Sequence, residues 1–299
     1  MTQTPEVELA AAKVNLFLNV TGKRPDGYHD LESLVVFADI GDRVSVTPAA
    51  DWSLTLSGQQ AHALDQTEAA ENLVIRAGRR LLGTQGPAAS IDLHKLLPVA
   101  AGIGGGSADA AACIRALSRL FEIETPAPGN WADLGGDIPV CLMNRPTLVR
   151  GMGERVTPID GIPSIPAVLV NPGVPTSTGA VFAAMQGRFG TPLEPFPFLS
   201  DTQARHSIES LVDVLHRIPN TMTDAAVSVT PIIRDVLELI DRQPERLLAR
   251  MSGSGATCFG LFPTESSAAE AASRLRRECP ESWWIRACTL TGTPDDQKA

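Results

Sequence analysis

Gly102-Ile103-Gly104-Gly105-Gly106 places four glycines in five residues and runs directly into Ser107 and a stretch of good helix formers. The first N–H groups of a helix have no intrahelical partner, and the dipole at that end favours anions. Glycine lets a large anion come close to the backbone and permits positive φ. The chemistry this predicts for Pro98 to Ala112 is phosphate binding by Gly102, Gly104, Gly105, Gly106 and Ser107. The same residues could form a tight turn packed on a neighbour, but the direct passage into a helix favours phosphate. The G-x-x-x-x-G-K-[ST] loop is excluded, because Ser107 and not lysine follows Gly106. A dinucleotide fold finds crude matches in Gly102, Gly104, Glu122 and Glu124, yet F-E-I-E-T-P offers only a fragment of the strand that should carry its acid. Asp109 suits the first helical turn, where its charge would oppose a phosphate unless a cation intervenes.

Other candidate residues carry two readings each. Lys13, Asn15, Phe17 and Asn19 alternate with Val14, Leu16, Leu18 and Val20, so an amine and two amides share one strand face. That face either lines a site or meets water. Asp137, in L-G-G-D-I-P, is placed to cap a short helix. Asn72, in E-N-L, likewise reads as a cap. Tyr28, the only tyrosine, and His29 follow the turn residues Pro25-Asp26-Gly27 and by themselves read as surface structure.

These residues need elements to position them. Ser90 to Leu93 is a predicted strand before the loop. After it, Ala110, Cys113, Ile114, Leu117, Leu120 and Phe121 make one apolar helical stripe, with Arg115, Ser118 and Arg119 off it. Leu31–Phe37 and Arg43–Thr47 are predicted strands, and Glu71–Leu82 a helix. Thr-Pro-Ala-Pro-Gly-Asn-Trp breaks the chain after Phe121 and Glu122–Glu124, and Leu134–Pro139 forms a corner into a short helix. Arg150–Glu154 is a glycine-containing turn, near which the domain boundary is placed (1–154 and 155–299). Beyond it come helices over Thr202–Arg217 and Pro231–Asp241, a strand over Ala256–Phe262 after M-S-G-S-G, and a helix over Ser267–Glu278 with Ser267 and Glu270 in capping-box spacing. A last strand spans Trp283–Leu290, and both chain ends are expected to fray. Strand, helix, strand with flanking helices predicts an α+β second domain.

At 299 residues and 43% apolar content the chain is globular with ample core. A net charge of −9 argues against a nucleic-acid surface. No apolar run reaches membrane-span length. M-T-Q-T-P-E-V-E lacks a basic segment followed by an apolar one, so a cytoplasmic protein is expected. Five cysteines without C-x-x-C pairing read as reduced thiols, and the five histidines form no metal-ligand pattern.

Three segments in order, A-A-K-V-N-L-F-L-N-V-T-G-K-R-P-D-G-Y-H-D-L, the loop at Pro98, and M-S-G-S-G-A-T, resemble the GHMP small-molecule kinases. R-P-D-G-Y-H, E-N-L-V-I-R-A, L-G-G-D-I-P-V and N-P-G-V-P-T-S-T-G-A-V-F narrow the resemblance to the branch acting on 4-diphosphocytidyl-2-C-methyl-D-erythritol. It covers most of the chain, thinning at Asp51–Glu68 and Gly187–Arg205. The resemblance implies a two-domain α+β architecture, with a ribosomal-protein-like α/β N-terminal domain and a ferredoxin-like α+β C-terminal domain, holding ATP and substrate between them. It implies transfer of the γ-phosphoryl of ATP to a 2-hydroxyl, with Asp137 as base and Lys13 stabilising developing charge. It assigns Asn72 to the adenine end, Asn15 and Thr178 to the substrate, and Tyr28, His29 and Phe182 to its cytosine. Gly253-Ser254-Gly255 would back the phosphate loop.

The chain departs from that pattern at three places. Ala108 stands where a second serine is common, so Mg2+ is expected to arrive with ATP and not on protein ligands. The segment from Phe121 to Leu134 is short, implying a truncated helix. Asn220-Thr221 replaces Asn-Asp. A monomer or weak dimer is expected. A kinase for another alcohol, such as mevalonate or homoserine, and a non-catalytic nucleotide-binding protein are the competing readings; retention of both Lys13 and Asp137 opposes the latter.

Overall fold

The computed structural model describes residues 4–64, 71–83, 85–194 and 207–291. Two long strands, β1 (Glu6–Lys23) and β2 (His29–Ala49), pair with one another and run through both of the chain's compact units. The first unit holds Met1–Lys13, Ile40–Val99 and Gly104–Met143; the second holds Val14–Asp39, Ala100–Ile103 and Asn144–Ala299.

In the first unit the end of β2 pairs antiparallel with β4 (Ala88–His94), from Arg43 opposite His94 to Ala49 opposite Ala88. β3 (Ser53–Ser57) lies parallel on β4's other edge. The two strands predicted over 31–37 and 43–47 are therefore one. Gly41 makes no turn between them: a Cβ there would come within 2.9 Å of the Ala11 Cα and closer still to the Ala10 backbone, so glycine lets β2 pass close against β1. Helix α1 (Leu73–Leu82) packs on α2 (Gly105–Leu120), and α2 on the short α3 (Ile138–Met143). The predicted α2 stripe is buried from Ala110 to Leu120, and so are Ala108, Ala111, Ala112 and Ala116, whose small side chains admit neighbours on more than one side. Phe121, the last residue of the predicted stripe, caps the helix and is only partly buried. Arg115 and Arg119, off the stripe, pair with Glu8 (3.0 Å) and Glu6 (2.9 Å) of β1.

In the second unit β10 (Trp284–Thr291) pairs antiparallel with β7 (Ile165–Asn171), from Trp284 opposite Asn171 to Leu290 opposite Ile165. β7 pairs with β9 (Cys258–Leu261), and β9 with β8 (Leu248–Met251). The first half of β2 pairs with β5 (Thr147–Gly151), which continues through the Arg150–Glu154 turn into β6 (Arg155–Pro158). Helices α4 (Thr178–Met185), α5 (Ile208–Arg217), α6 (Thr223–Val229), α7 (Ile232–Asp241) and α8 (Glu265–Glu278) complete this unit. Its core gathers Leu18, Val20, Val168, Val170, Ile233, Phe262 and Ile285.

The predicted capping box at Ser267 and Glu270 sits one turn too late. Thr264 is the cap: its hydroxyl accepts from Ser267 N–H (3.1 Å), and Ser267 Oγ accepts from Thr264 N–H (3.3 Å). Pro263 precedes it and Glu265 opens the helix, so the turn chemistry begins before the serines. Residues 202–206 of the predicted helix and the chain ends at 1–3 and 292–299 lie outside the described residues. Among those described, no helix is long and apolar enough to cross a membrane.

Candidate active site

Both faces of β1 are buried from Ala10 to Val20, so its polar residues do not meet water. Lys13 is 5% exposed, and its Nζ lies 3.0 Å from Asp137 Oδ2. Asp137 stands just before α3, and its backbone carbonyl accepts from Cys141 N–H (3.1 Å), as a capping residue's does. Its carboxylate, 46% exposed, faces the lysine and remains open to an incoming group. The glycine loop borders the same pair. Gly104, in the left-handed conformation at φ 67°, precedes α2, and a Cβ on it would sit 3.2 Å from Lys13 Cε. The helix thus begins two residues before Ser107, because the glycines themselves adopt its entry conformation. A Cβ on Gly135 would come within 3.6 Å of Ser107 Oγ, so the L-G-G-D corner lies over the loop serine.

The start of α2 fits a phosphate. Its first intrahelical bond runs from Ala108 N–H to Gly104 O (2.8 Å), which leaves the N–H groups of Gly105, Gly106 and Ser107 ahead of it. A Cβ on Gly106 would meet nothing within 4 Å, so the backbone there is open to a large anion. The cation required by Asp109 is Lys95, a residue the sequence reading missed. Its Nζ donates to Asp109 Oδ2 (2.7 Å) and to Asp42, all three side chains being buried. Asp42 also accepts the N–H of Leu97 (2.8 Å), whereas Asp109 Oδ1 has no partner. Burial pushes the Asp109 carboxyl up to about 8, an effect Lys95 only partly offsets. The signal for Lys95 was a lysine closing a strand just before the loop. With Ala108 lacking a ligand atom and Asp109 directed at Lys95, neither residue after the loop serine offers a metal a ligand.

Within the second unit, Gly102 interlocks with the M-S-G-S-G turn. A Cβ on Gly102 (φ 74°) would fall 2.6 Å from Gly255 O and 2.8 Å from Ser252 O. Ser252 Oγ accepts from Asn15 N–H (3.1 Å) and donates to Gly102 O (3.2 Å). Asn220 Nδ2 donates to Met251 O (2.9 Å) and Gly253 O (2.8 Å), which holds this turn, while Thr221, the residue that departs, accepts Val20 N–H at Oγ1 (2.9 Å) and donates to Leu18 O (3.3 Å). Asn15 is buried and its Nδ2 donates to Ser33 Oγ (2.8 Å). Thr178 and Ser254 share a hydroxyl hydrogen bond of 2.7 Å. His29 stacks on Phe182 with centroids 4.3 Å apart and planes at 12°, while Phe189 meets the imidazole edge-on. Burial, then the nearby Lys23 charge, lowers the His29 pKa. Tyr28 is 63% exposed at the end of its turn. Asn72 caps α1, its Oδ1 accepting Val74 N–H (3.1 Å).

Family models for the GHMP kinases N terminal domain and GHMP kinases C terminal match residues 68–145 and 201–281. A 4-diphosphocytidyl-2-C-methyl-D-erythritol kinase of Cereibacter sphaeroides is 46% identical over 95% of this chain and 98% of its own length. The chain belongs to the GHMP kinases. It falls in the branch that bears that relative's name, together with the kinase of Rhodospirillum rubrum, 44% identical over 96% of this chain and 93% of its own. A crystal structure of 4-(cytidine 5'-diphospho)-2C-methyl-D-erythritol kinase superposes with a TM-score of 0.76 at 32% identity, covering 96% of this chain and 100% of that one. The chain is therefore an ATP-dependent small-molecule kinase with the α+β architecture of that family. In this GHMP kinase the five cysteines are free, and burial pushes every thiol up.

Proposed function

We propose that this kinase phosphorylates the 2-hydroxyl of 4-diphosphocytidyl-2-C-methyl-D-erythritol, within isoprenoid precursor synthesis. The observation that carries the reading is the Lys13–Asp137 pair, 3.0 Å apart beside Gly104, in a chain so similar to kinases named for that alcohol. Phosphoryl transfer is chiefly positioning and charge stabilisation. The Asp137 carboxylate orients the hydroxyl and takes its proton as the new P–O bond forms. Lys13, buried beneath it, stabilises negative charge developing on the transferred group. The N–H groups of Gly105, Gly106 and Ser107 hold the phosphate chain, with Gly104 and Gly102 giving the loop its path. ATP, bound there with its Mg2+, supplies the phosphoryl group and ADP as leaving group. Asn72 borders the adenine. Tyr28, His29 and Phe182 hold the cytosine by stacking and edge contacts, and Asn15 and Thr178 contact the rest of the substrate. The N-terminal kinase domain is taken as 1–154 and the C-terminal domain as 155–299, acting in the cytoplasm as a monomer or weak dimer. ADP release coupled to NADH oxidation, with the cytidyl alcohol and a panel of other alcohols, tests the reading. Turnover only on an alcohol without a nucleotide would overturn the substrate, and wild-type turnover by a folded Asp137→Asn would overturn the base.

A further inference from the structure

Asp137 is followed by only a six-residue helix and preceded by two glycines, neither of which fixes a carboxylate by itself. What holds the corner is upstream. Between α2 and α3 the regular structure is one 3-10 turn, Pro128–Trp131. The N–H groups of Leu134 (3.1 Å) and Gly135 (3.4 Å) both donate to Trp131 O, and Ile138 N–H donates to Gly135 O (3.0 Å). The path of the backbone into Asp137 is thus inherited from Trp131. Trp131 is 3% exposed, but its Nε1 has no hydrogen-bond partner, so no hydrogen bond anchors the indole.

A single side chain grips this turn three times. Arg80, in the last turn of α1, donates from Nη2 to Asn130 O (2.7 Å) and from Nη1 to Asp133 Oδ2 (2.7 Å). Its guanidinium also lies over the Trp131 ring, 5.1 Å from the centroid. A planar fork that bonds two groups and stacks on a third fixes orientation as well as distance, which a lysine cannot reproduce. At the far end of the corner Arg115 Nη1 donates to Cys141 O (2.8 Å). The corner is therefore clamped before and after Asp137, with Arg80 acting on the side where the connection holds only a 3-10 turn.

We infer that Arg80 is a positioning residue for Asp137, acting on turnover through the 130–135 backbone without touching substrate. The inference rests on the reading of Asp137 as base. Arg80 is 40% exposed on its side chain, so its removal leaves the core intact. In the coupled assay, Arg80→Ala should lower kcat about 10-fold, in line with small displacements of a reacting group, while KM for ATP and for the alcohol stays within about two-fold. Arg80→Lys should recover less than half of the lost kcat, because it restores charge without the fork. Asp133→Ala, which removes one of the three grips, should lie between wild type and Arg80→Ala. In the Asp137→Asn background, Arg80→Ala should cost no further activity. An isolated surface ion pair would give wild-type kcat in Arg80→Ala, and a merely structural role would lower the residual rate of Asp137→Asn by the same factor again; either result overturns the inference. If Asp137→Asn alone keeps wild-type turnover, the base assignment fails first, and that single variant separates the two failures.

Discussion

Gly104 and Gly106 are two residues apart in one loop, and the structure assigns opposite outcomes to the same substitution. At Gly104 the backbone is left-handed, φ 67°, and an added methyl would lie 3.2 Å from Lys13 Cε and 3.3 Å from Lys13 Cβ. Left-handed backbone costs a residue with a Cβ roughly 1–2 kcal/mol. The contact is also tight enough that Lys13 must give way by a few tenths of an ångström. Gly104→Ala should therefore lose about 1–2 kcal/mol of stability, with kcat falling about 10- to 100-fold as the ammonium leaves its place beside Asp137. At Gly106 the residue is helical and the methyl would meet nothing. Exchanging glycine for alanine within a helix stabilises by about 0.5–1 kcal/mol. Gly106→Ala should thus melt about 1–2 °C higher, yet bind ATP about 10-fold more weakly, because the methyl occupies the approach to the N–H groups of the phosphate cradle. Thermal denaturation and steady-state kinetics over ATP concentration read both effects on the same preparations. An unchanged KM for ATP in a stabilised Gly106→Ala would refute the cradle, and wild-type kcat in Gly104→Ala would refute the coupling of loop to lysine.

Three further outcomes follow from the same geometry. Lys13→Met keeps the buried stem but removes the ammonium from 3.0 Å, and should cut kcat about 10²–10³-fold; unchanged kinetics would remove Lys13 from the chemistry. The unfolded chain gives up the Asp109 proton near 3.8 whereas the folded protein keeps it to about 8, so folding takes up a proton across that window and stability falls as pH rises through it. Asp109→Asn cannot titrate, and its denaturation midpoint relative to wild type should climb between about pH 5 and pH 8; a difference that stays flat with pH would show the carboxyl ionised throughout. Thr264→Ala removes the acceptor of the Ser267 N–H bond at the start of α8 and should cost about 1 kcal/mol in urea unfolding without altering kcat.

The local entries in this protein are written in short stretches of chain. The glycine run, the stripe from Ala110 to Leu120, the cap at Asn72 and the L-G-G-D corner were all legible, because each depends on residues within one or two turns. The need for a cation near Asp109 was legible too, although its identity was not, since Lys95 lies fourteen positions away in sequence and reaches Asp109 only once β4 and α2 have packed. β7 (Ile165–Asn171), apolar from Ile165 through Val170, offered no alternation to read because both of its faces are buried. The fusion of two predicted strands into β2 depended on the close approach of Ala10 to Gly41, which no local pattern records.

By itself the sequence determined which residue types were available and that a glycine loop enters a helix, since glycine's backbone freedom and the free N–H groups of a helix start are local properties. The tertiary structure alone decided that β1 is buried on both faces, that Lys13 meets Asp137 across 124 positions of chain, that Ser252 and Asn220 brace the turn beside Gly102, and that Arg80 grips the backbone ahead of Asp137. Each of these is a meeting of distant segments, and the energy that selects it comes from burying apolar surface around polar groups that must then find one another.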